Sequence, residues 1–378
     1  MPITGVFGAV SGFSSGWARR LELHKDSEVT RTWWTFETHV CSQWRAAALL
    51  FPKLWSFIDI LQSDSSNAAA SWNIFDTYLA RSGKYPLTFR LTDVRSSRPA
   101  GQPFLDELSK PEYLRRWRTV CIDTRWDLTL FKELGSSTGM PLLRVAKLGA
   151  GSFHPRSPDA RQINLPSLEI LSLALVGEGF TLRNLCDWAH FPRLKALNIS
   201  FTFAASTAEP LLSNTPSMFP AQLKQLTALR LCGSLPMEDQ AMKQVLVELP
   251  LLEYFGLQID GYGSWKSLER LLELLREHDR DGDSEQMAVL PALRHLELAR
   301  VGANDLSFVT VRTLVETLQA RFLASPALRT FEIMPLASDP GHAGDELVKR
   351  LNALKEETGW DIRVRKLLRM FWDEEIVL

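Results

Sequence analysis

Few residues in this chain have the type and spacing that catalysis needs. Gly12-Phe13-Ser14-Ser15-Gly16 fits G-x-S-x-G, the sharp turn that raises a serine nucleophile above an α/β-hydrolase sheet. That chemistry also needs a helix directly after the serine, with Asp and His partners brought in by the same sheet. The pattern downstream of Ser14 is repetitive instead, and a poorly ordered N-terminal segment is the expected state of residues 1–34. Asp279, Asp281 and Asp283 alternate as cation ligands do. An EF-hand loop wants Gly at its sixth position and Glu at its twelfth, where this chain has Ser284 and Leu290, so His278 to Glu285 reads as a solvated acidic insertion. The seven histidines include no H-x-x-x-H or H-E-x-x-H pair that would hold zinc. Gly149-Ala150-Gly151 and Gly261-Tyr262-Gly263 complete no phosphate-binding fingerprint and read as turns. The expectation is a chain with no catalytic residue, no metal and no cofactor.

Length and charge narrow the remaining classes. At 378 residues the chain exceeds the roughly 250 to 300 at which a single core stops growing, which implies several domains or an elongated repeat. Lys plus Arg number 43 against 44 Asp plus Glu, so there is no overall basic field to neutralise a phosphate backbone, and nucleic acid is not expected as a partner. Cys41, Cys121, Cys186 and Cys232 stand too far apart for CxxC knuckles or a dense disulfide framework, and read as reduced, mostly buried thiols. No apolar run approaches the roughly 18 residues that span a bilayer, and Met1 to Val10 lacks a basic leader region. A cytoplasmic or nuclear chain without a membrane partner is expected.

The dominant signal is a recurring spacing of apolar side chains, φ-x-x-φ-x-φ, often just after a proline. Its clearest copies are Leu168-Leu171-Leu173, Leu194-Leu197-Ile199, Leu226-Leu229-Leu231, Leu252-Phe255-Leu257, Leu293-Leu296-Leu298 and Leu328-Phe331-Ile333. Weaker copies come earlier, at Trp55-Ile58-Ile60, Pro86-Phe89-Leu91, Trp117-Val120-Ile122 and Leu143-Ala146-Leu148, and Asp361 to Arg365 adds a last strand-like piece. The copies lie 25 to 41 residues apart, mostly in or near the roughly 20 to 29 residue period of leucine-rich repeats. The closing x-φ-x-φ has the period of two of a strand with its apolar side turned inward. Between copies the period changes to that of a helix: Met242, Val245, Leu246 and Leu249; Leu268, Leu271, Leu272 and Leu275 after Ser267 as a cap; Val311, Leu314, Val315, Leu318 and Phe322. Strand followed by helix, many times over, predicts parallel strands joined by right-handed crossovers. An ordinary α/β domain with a parallel sheet is the plainer alternative, but the repeated register favours an α/β leucine-rich-repeat-like solenoid of parallel strands and helices with a small helical N-terminal cap.

In such a solenoid the residues between the inward apolar positions turn the other way, into solvent on the concave face. They include Lys147, Asn198, Ser200, Ala228, Arg230, Cys232, Tyr254, Gly256, Gln258, His295, Glu297, Thr330, Glu332 and Met334. Binding energy concentrates in a few aromatic and Arg side chains, so Arg230 and Tyr254 on successive repeats are the expected anchors, with Gln258, His295, Glu297 and Glu332 beside them as the remaining substrate-binding candidates. Glu297 and Glu332 would meet a basic partner. Each of these is also an ordinary residue for a solvated strand.

One stretch carries a family likeness. His39 to Ile60, HVCSQWRAAALLFPKLWSFIDI, reads as a short helix, a proline stop and a strand, with Val40, Trp44 and Ala48 on one helical face. It resembles the C-terminal half of an F-box, above all in the large fungal, basidiomycete-type families whose box runs straight into leucine-rich repeats. Val40, Cys41, Trp44, Arg45, Ala48, Pro52, Leu54 and Trp55 carry the match, and Leu79 to Gly83 followed by Pro86-Leu87 looks like the helix end and strand that follow such a box. The resemblance implies a non-enzymatic substrate-recognition adaptor of a cullin-type (Skp-cullin-F-box) ubiquitin ligase. Val40, Cys41, Trp44, Arg45, Pro52, Leu54 and Trp55 would contact the Skp-type linker, and the repeats would hold an unidentified protein substrate. Residues 1–34 contain no match to the Leu-Pro-x-Glu element that opens such boxes, so the box at residues 35–60 is truncated or degenerate, and residues 61–378 form the degenerate repeat region. Val40, Trp44 and Trp55 also suit a simple cap over the first repeat. A free-standing repeat scaffold without a ubiquitin role is the alternative function.

Overall fold

The computed structural model describes residues 46, 49–62, 68–93, 102–126, 140–150, 163–176, 185–187, 189–202, 220–233, 243, 245–258, 265–276, 289–301, 308–324, 327–335 and 342–364. Ser14, the Asp279 to Asp283 run, Gly261-Tyr262-Gly263, and Val40, Cys41, Trp44 and Arg45 lie outside the described residues.

Among the described residues the fold is α/β, built on one large sheet of eleven strands. In chain order these are β1 (Phe57–Gln62), β2 (Leu87–Asp93), β3 (Trp117–Trp126), β4 (Val145–Ala150), β6 (Ile170–Val176), β8 (Ala196–Thr202), β9 (Ala228–Cys232), β10 (Tyr254–Gln258), β11 (His295–Val301), β12 (Thr330–Pro335) and β13 (Asp361–Val364). Two short strands, β5 (Ile163–Asn164) and β7 (Ala189–His190), form a second, two-stranded sheet that the apolar pattern does not announce. Order across the large sheet follows order along the chain without reversal, and each pairing from β2 to β13 is parallel. A doubly wound domain instead reverses its strand order at a switch point.

The chain divides into two compact units, one of residues 1–57 with 76–85 and the other of residues 58–75 with 86–378. In the first, Ala46, Leu49 and Leu50 are helical and Pro52 opens a short 3-10 helix, Pro52–Trp55, where a missing amide N–H costs nothing. Trp55 is buried. It meets the Tyr78 ring edge to face at 5.2 Å, and the Arg81 guanidinium sits 4.5 Å from its ring centre. Burial pushes the Tyr78 hydroxyl up to about 12, against the pull of Arg81. Helix α1 (Ala68–Ser82) ends at Gly83, whose φ of 54° is the left-handed conformation that closes a helix.

In the second unit, the φ-x-x-φ-x-φ copies coincide with the strands and are in register. Leu171, Leu197, Leu229, Phe255, Leu296, Phe331 and Ile362 are successive partners across the sheet, and so are Leu173, Ile199, Leu231, Leu257, Leu298, Ile333 and Val364. All but Val364 are buried, and the first apolar position of each clear copy is buried as well. The frequent prolines have a local cause. Met140, Leu165, Phe191, Leu249 and Leu290 each begin a tight turn with proline next, the position whose φ proline presets, and each turn closes when the leucine three residues on donates its N–H back at 3.2 Å. Leu223 to Leu226 makes the same turn with Lys224 in place of proline. Register is then fixed just before each strand. The Glu169 carbonyl accepts the N–H groups of Lys195 and Ala196 at 2.8 and 3.0 Å, and the carbonyls of Arg144, Lys195, Thr227, Glu253 and Arg294 do the same for the units that follow them.

Further helices are α2 (Gln102–Leu108), α3 (Pro111–Leu114), α4 (Trp265–Arg276), α5 (Phe308–Ala324) and α6 (His342–Thr358). The apolar positions expected of α4 and α5 are buried at Leu268, Leu271, Leu272, Leu275, Val311, Leu314 and Leu318, and so are Val245, Leu246 and Leu249 before β10. Two local expectations are corrected. Ser267 is the third residue of α4 rather than its cap, because the helix begins at Trp265. Gly149 and Ala150 do not turn; they close β4 and pair with Ala174 and Leu175.

Arg321 of α5 is 2% exposed and donates to three backbone carbonyls: Leu275 at 2.6 Å, Leu290 at 3.0 Å, and Val289. The first lies in the last turn of α4, where carbonyls lack helical partners and a cation suits the helix dipole. The other two precede β11, and Leu290 itself holds a φ of 51°, a conformation costly for a branched side chain. Burial pushes this guanidinium down to about 10, still well above neutrality.

Candidate functional site

The face opposite the inward leucines is assembled from strand residues at a spacing of two. Register places Lys147, Ser172, Asn198, Arg230, Gly256, Glu297, Glu332 and Arg363 in one row across eight strands. A neighbouring row runs Ala228, Tyr254, His295, Thr330 and Asp361, and a third runs Cys232, Gln258, Ala299 and Met334. The candidates read from sequence therefore share one face. Arg230, Tyr254, His295, Glu297 and Glu332 lie on adjacent strands in two adjacent rows, whereas Gln258 stands at the end of β10, in the third.

Their environment differs from expectation. Glu297 and Glu332 are each 5% exposed, and Ser172, Ala196, Ala228, Ala299 and Met334 are buried too, so this part of the face is not a strip of solvated side chains. For Glu297 the cause lies in its neighbours. Arg230 Nη2 donates to Oε1 at 2.8 Å, the Tyr254 hydroxyl donates to Oε2, and the side chains of Arg230 and Glu297 are only 14% and 6% exposed. The two donors reach over Gly256, where a methyl group would lie 3.0 Å from Arg230 Cγ and 3.0 Å from the Tyr254 hydroxyl. Glycine is thus required there by space, not by an unusual φ. The Tyr254 ring leans on His295 at 4.9 Å between centres, tilted by 52°.

The arrangement suits recognition. Its carboxylate already has two donors, both supplied by the protein, and the charge-assisted bonds hold the Tyr254 ring and the guanidinium stem in fixed places. Arg90, Lys147, Asn198 and Gln258 are half-exposed and belong to the accessible part of the face, as does the exposed Arg363. Among the described residues no cluster of three or more His, Cys, Asp or Glu side chains is grouped to hold a metal ion. Among the same residues no helix is long and apolar enough to cross a membrane.

Of the residues assigned to linker contact, Pro52, Leu54 and Trp55 fall in the 3-10 helix. Trp55 is not presented at a surface, since Tyr78 and Arg81 of its own unit occupy its ring. The apolar exposure lies beside it instead, on Leu49, Leu50, Phe51 and Phe57, with Leu50 78% exposed. Reading Leu49-Leu50-Phe51 as helix interior conceals this, because the amphipathic pattern marks which residues are apolar and not which are covered. The cysteines behave as expected where described: Cys121, Cys186 and Cys232 are free thiols, two of them buried. Desolvation pushes the Cys186 thiol up to about 11. Compared with known proteins, the chain matches no family model and no curated sequence.

Proposed function

We propose that the chain is a leucine-rich-repeat-like solenoid that binds a protein target through the face carrying Arg230, Tyr254, Gln258, His295, Glu297 and Glu332. In this reading its first unit docks on a Skp-type linker, so that the chain serves as a non-enzymatic substrate adaptor of a cullin-type ubiquitin ligase in the cytoplasm or nucleus. The observation that carries the recognition role is the agreement of strand order with chain order: successive units each contribute one side chain to the same lateral row, the geometry repeat proteins use for extended binding surfaces. Docking rests on the F-box-like stretch and on the exposed Leu49, Leu50 and Phe51 next to its proline stop. Contiguous exposed apolar side chains of this kind mark interaction sites.

The adaptor reading is tested with purified components. A Skp-type linker mixed with the full chain should co-elute on gel filtration, and Leu50→Asp with Phe51→Asp should abolish co-elution without lowering the melting temperature. No co-elution, even after a Leu-Pro-x-Glu helix is joined ahead of His39, would remove the ubiquitin role. That outcome leaves the second reading, a free-standing interaction scaffold.

A further inference from the structure

The turns before the strands place a different set of side chains along the edge of the sheet where the strands begin. The Arg118 carbonyl accepts the Arg144 N–H, that of Arg144 accepts the Glu169 N–H, and that of Glu169 accepts the Lys195 N–H, at 2.8 to 2.9 Å. These four residues are therefore successive neighbours along β3, β4, β6 and β8, about 4.8 Å apart. Arg118, Arg144, Lys195 and the adjacent Arg193 are all exposed. Among the described residues a single carboxylate, Glu169, answers them. Arg144 bonds it at 2.7 Å, and with Lys195 and Arg193 adding their charge its carboxyl is held below the usual carboxylate range. Arg118, Arg193 and Lys195 form no ion pair among the described residues.

This concentration of charge is local. The whole chain carries a net charge of −1, and further along the same edge the positions equivalent to Lys195 are Thr227, Glu253, Arg294 and the exposed Arg329, with Glu253 and Arg294 3.8 Å apart. The basic stretch is also not purely polar. Leu142, at the tip of the turn that leads into β4, is 45% exposed beside Arg144. Three strand spacings give a footprint of about 14 Å, the length of an extended peptide of about five residues. That is short for a nucleic acid, whose binding depends on neutralising many phosphates.

We propose that the strand-start edge of β3 to β8 is a second docking surface, and that it takes a short acidic peptide segment carrying a bulky apolar side chain. Carboxylates of the segment pair with Arg118, Arg193 and Lys195 while the apolar side chain covers Leu142. The site is separate from the face of Arg230 and Tyr254 and does not depend on the role proposed for it.

The test uses the full chain and a fluorescein-labelled ten-residue peptide of glutamates interrupted by leucine and phenylalanine, followed by anisotropy at low and raised salt. Saturable binding that weakens with salt is expected. R144E with K195E should weaken it about tenfold or more, equivalent to about 1.4 kcal/mol or more. Arg193→Gln with Lys195→Gln, which breaks no ion pair among the described residues, repeats the test should the reversal variant fail to fold. Glu169→Gln should tighten binding severalfold, a gain that misfolding cannot imitate, and Arg294→Glu with Arg329→Glu should leave it unchanged. Absence of saturable binding, equal loss in the Arg294/Arg329 variant, or tighter capture of a single-stranded oligonucleotide of the same charge would overturn the proposal.

Discussion

Glu297 is the residue on which the open face turns. Its carboxylate is almost wholly withdrawn from water and depends on two donors, Arg230 from 67 residues before it and Tyr254 from 43. Breaking a buried ion pair by truncating one member is strongly destabilising, so Glu297→Ala should cost about 3 to 5 kcal/mol in urea unfolding. Arg230→Met combined with Glu297→Leu should recover most of that loss, because an apolar pair needs no partner for a charge. Gly256→Ala should cost about 1 to 3 kcal/mol, since its methyl group must push aside the Arg230 stem or the Tyr254 hydroxyl. Cys186 gives an independent check. With its thiol pushed up to about 11, only about a thousandth is thiolate at pH 8, so iodoacetamide on the native chain should modify the half-exposed Cys121 well before Cys186, as read by peptide mass mapping. The alternation of side chains already names which residues share the face, because a strand has a period of two. It is silent on the burial of Glu297, which comes from partners that only the sheet brings within reach.

At the scale of elements, every copy of φ-x-x-φ-x-φ is legible as a strand because the apolar period decides which side faces inward. Ahead of five copies the turn is legible too, through proline. Two devices are not. Arg321 sits at a helix position where a charged residue ordinarily meets water, so nothing local distinguishes it from a solvated arginine, yet it ties the end of α4 to the residues before β11. Arg321→Leu should take a donor from three carbonyls, of which Leu290 keeps the Leu293 N–H, and lower stability by about 2 to 4 kcal/mol, and Arg321→Lys should rescue little, since one ammonium cannot reproduce a planar fork. Thermal unfolding of the two variants checks both statements. Gln222 is the other device. Its amide donates to Ala189 and Cys186 carbonyls at 3.2 and 3.3 Å and accepts the Phe191 N–H at 3.4 Å, serving β7 as a third strand would. A side chain that imitates backbone has no periodicity to betray it.

At the scale of the whole molecule, what matters is that each strand of the second unit pairs only with the units before and after it in the chain. Damage should then spread according to position. Leu229→Ala, with Leu197 and Phe255 on either side, should cost about 2 to 5 kcal/mol and speed hydrogen exchange through β8, β9 and β10. Ile362→Ala, in the last of the described strands, should loosen β13 and leave the exchange of β9 as it was. Equal acceleration throughout by both variants would show a unit that opens all at once.

Leu171 and Leu197 are register partners across 26 residues of chain, and Phe255 and Leu296 are register partners across 41. The rungs therefore take no account of how much polypeptide lies between them. Insertions and deletions in those intervening stretches can accumulate in a lineage while the ladder stays aligned, so homologous genes can drift beyond recognition by alignment long before the architecture they encode gives way.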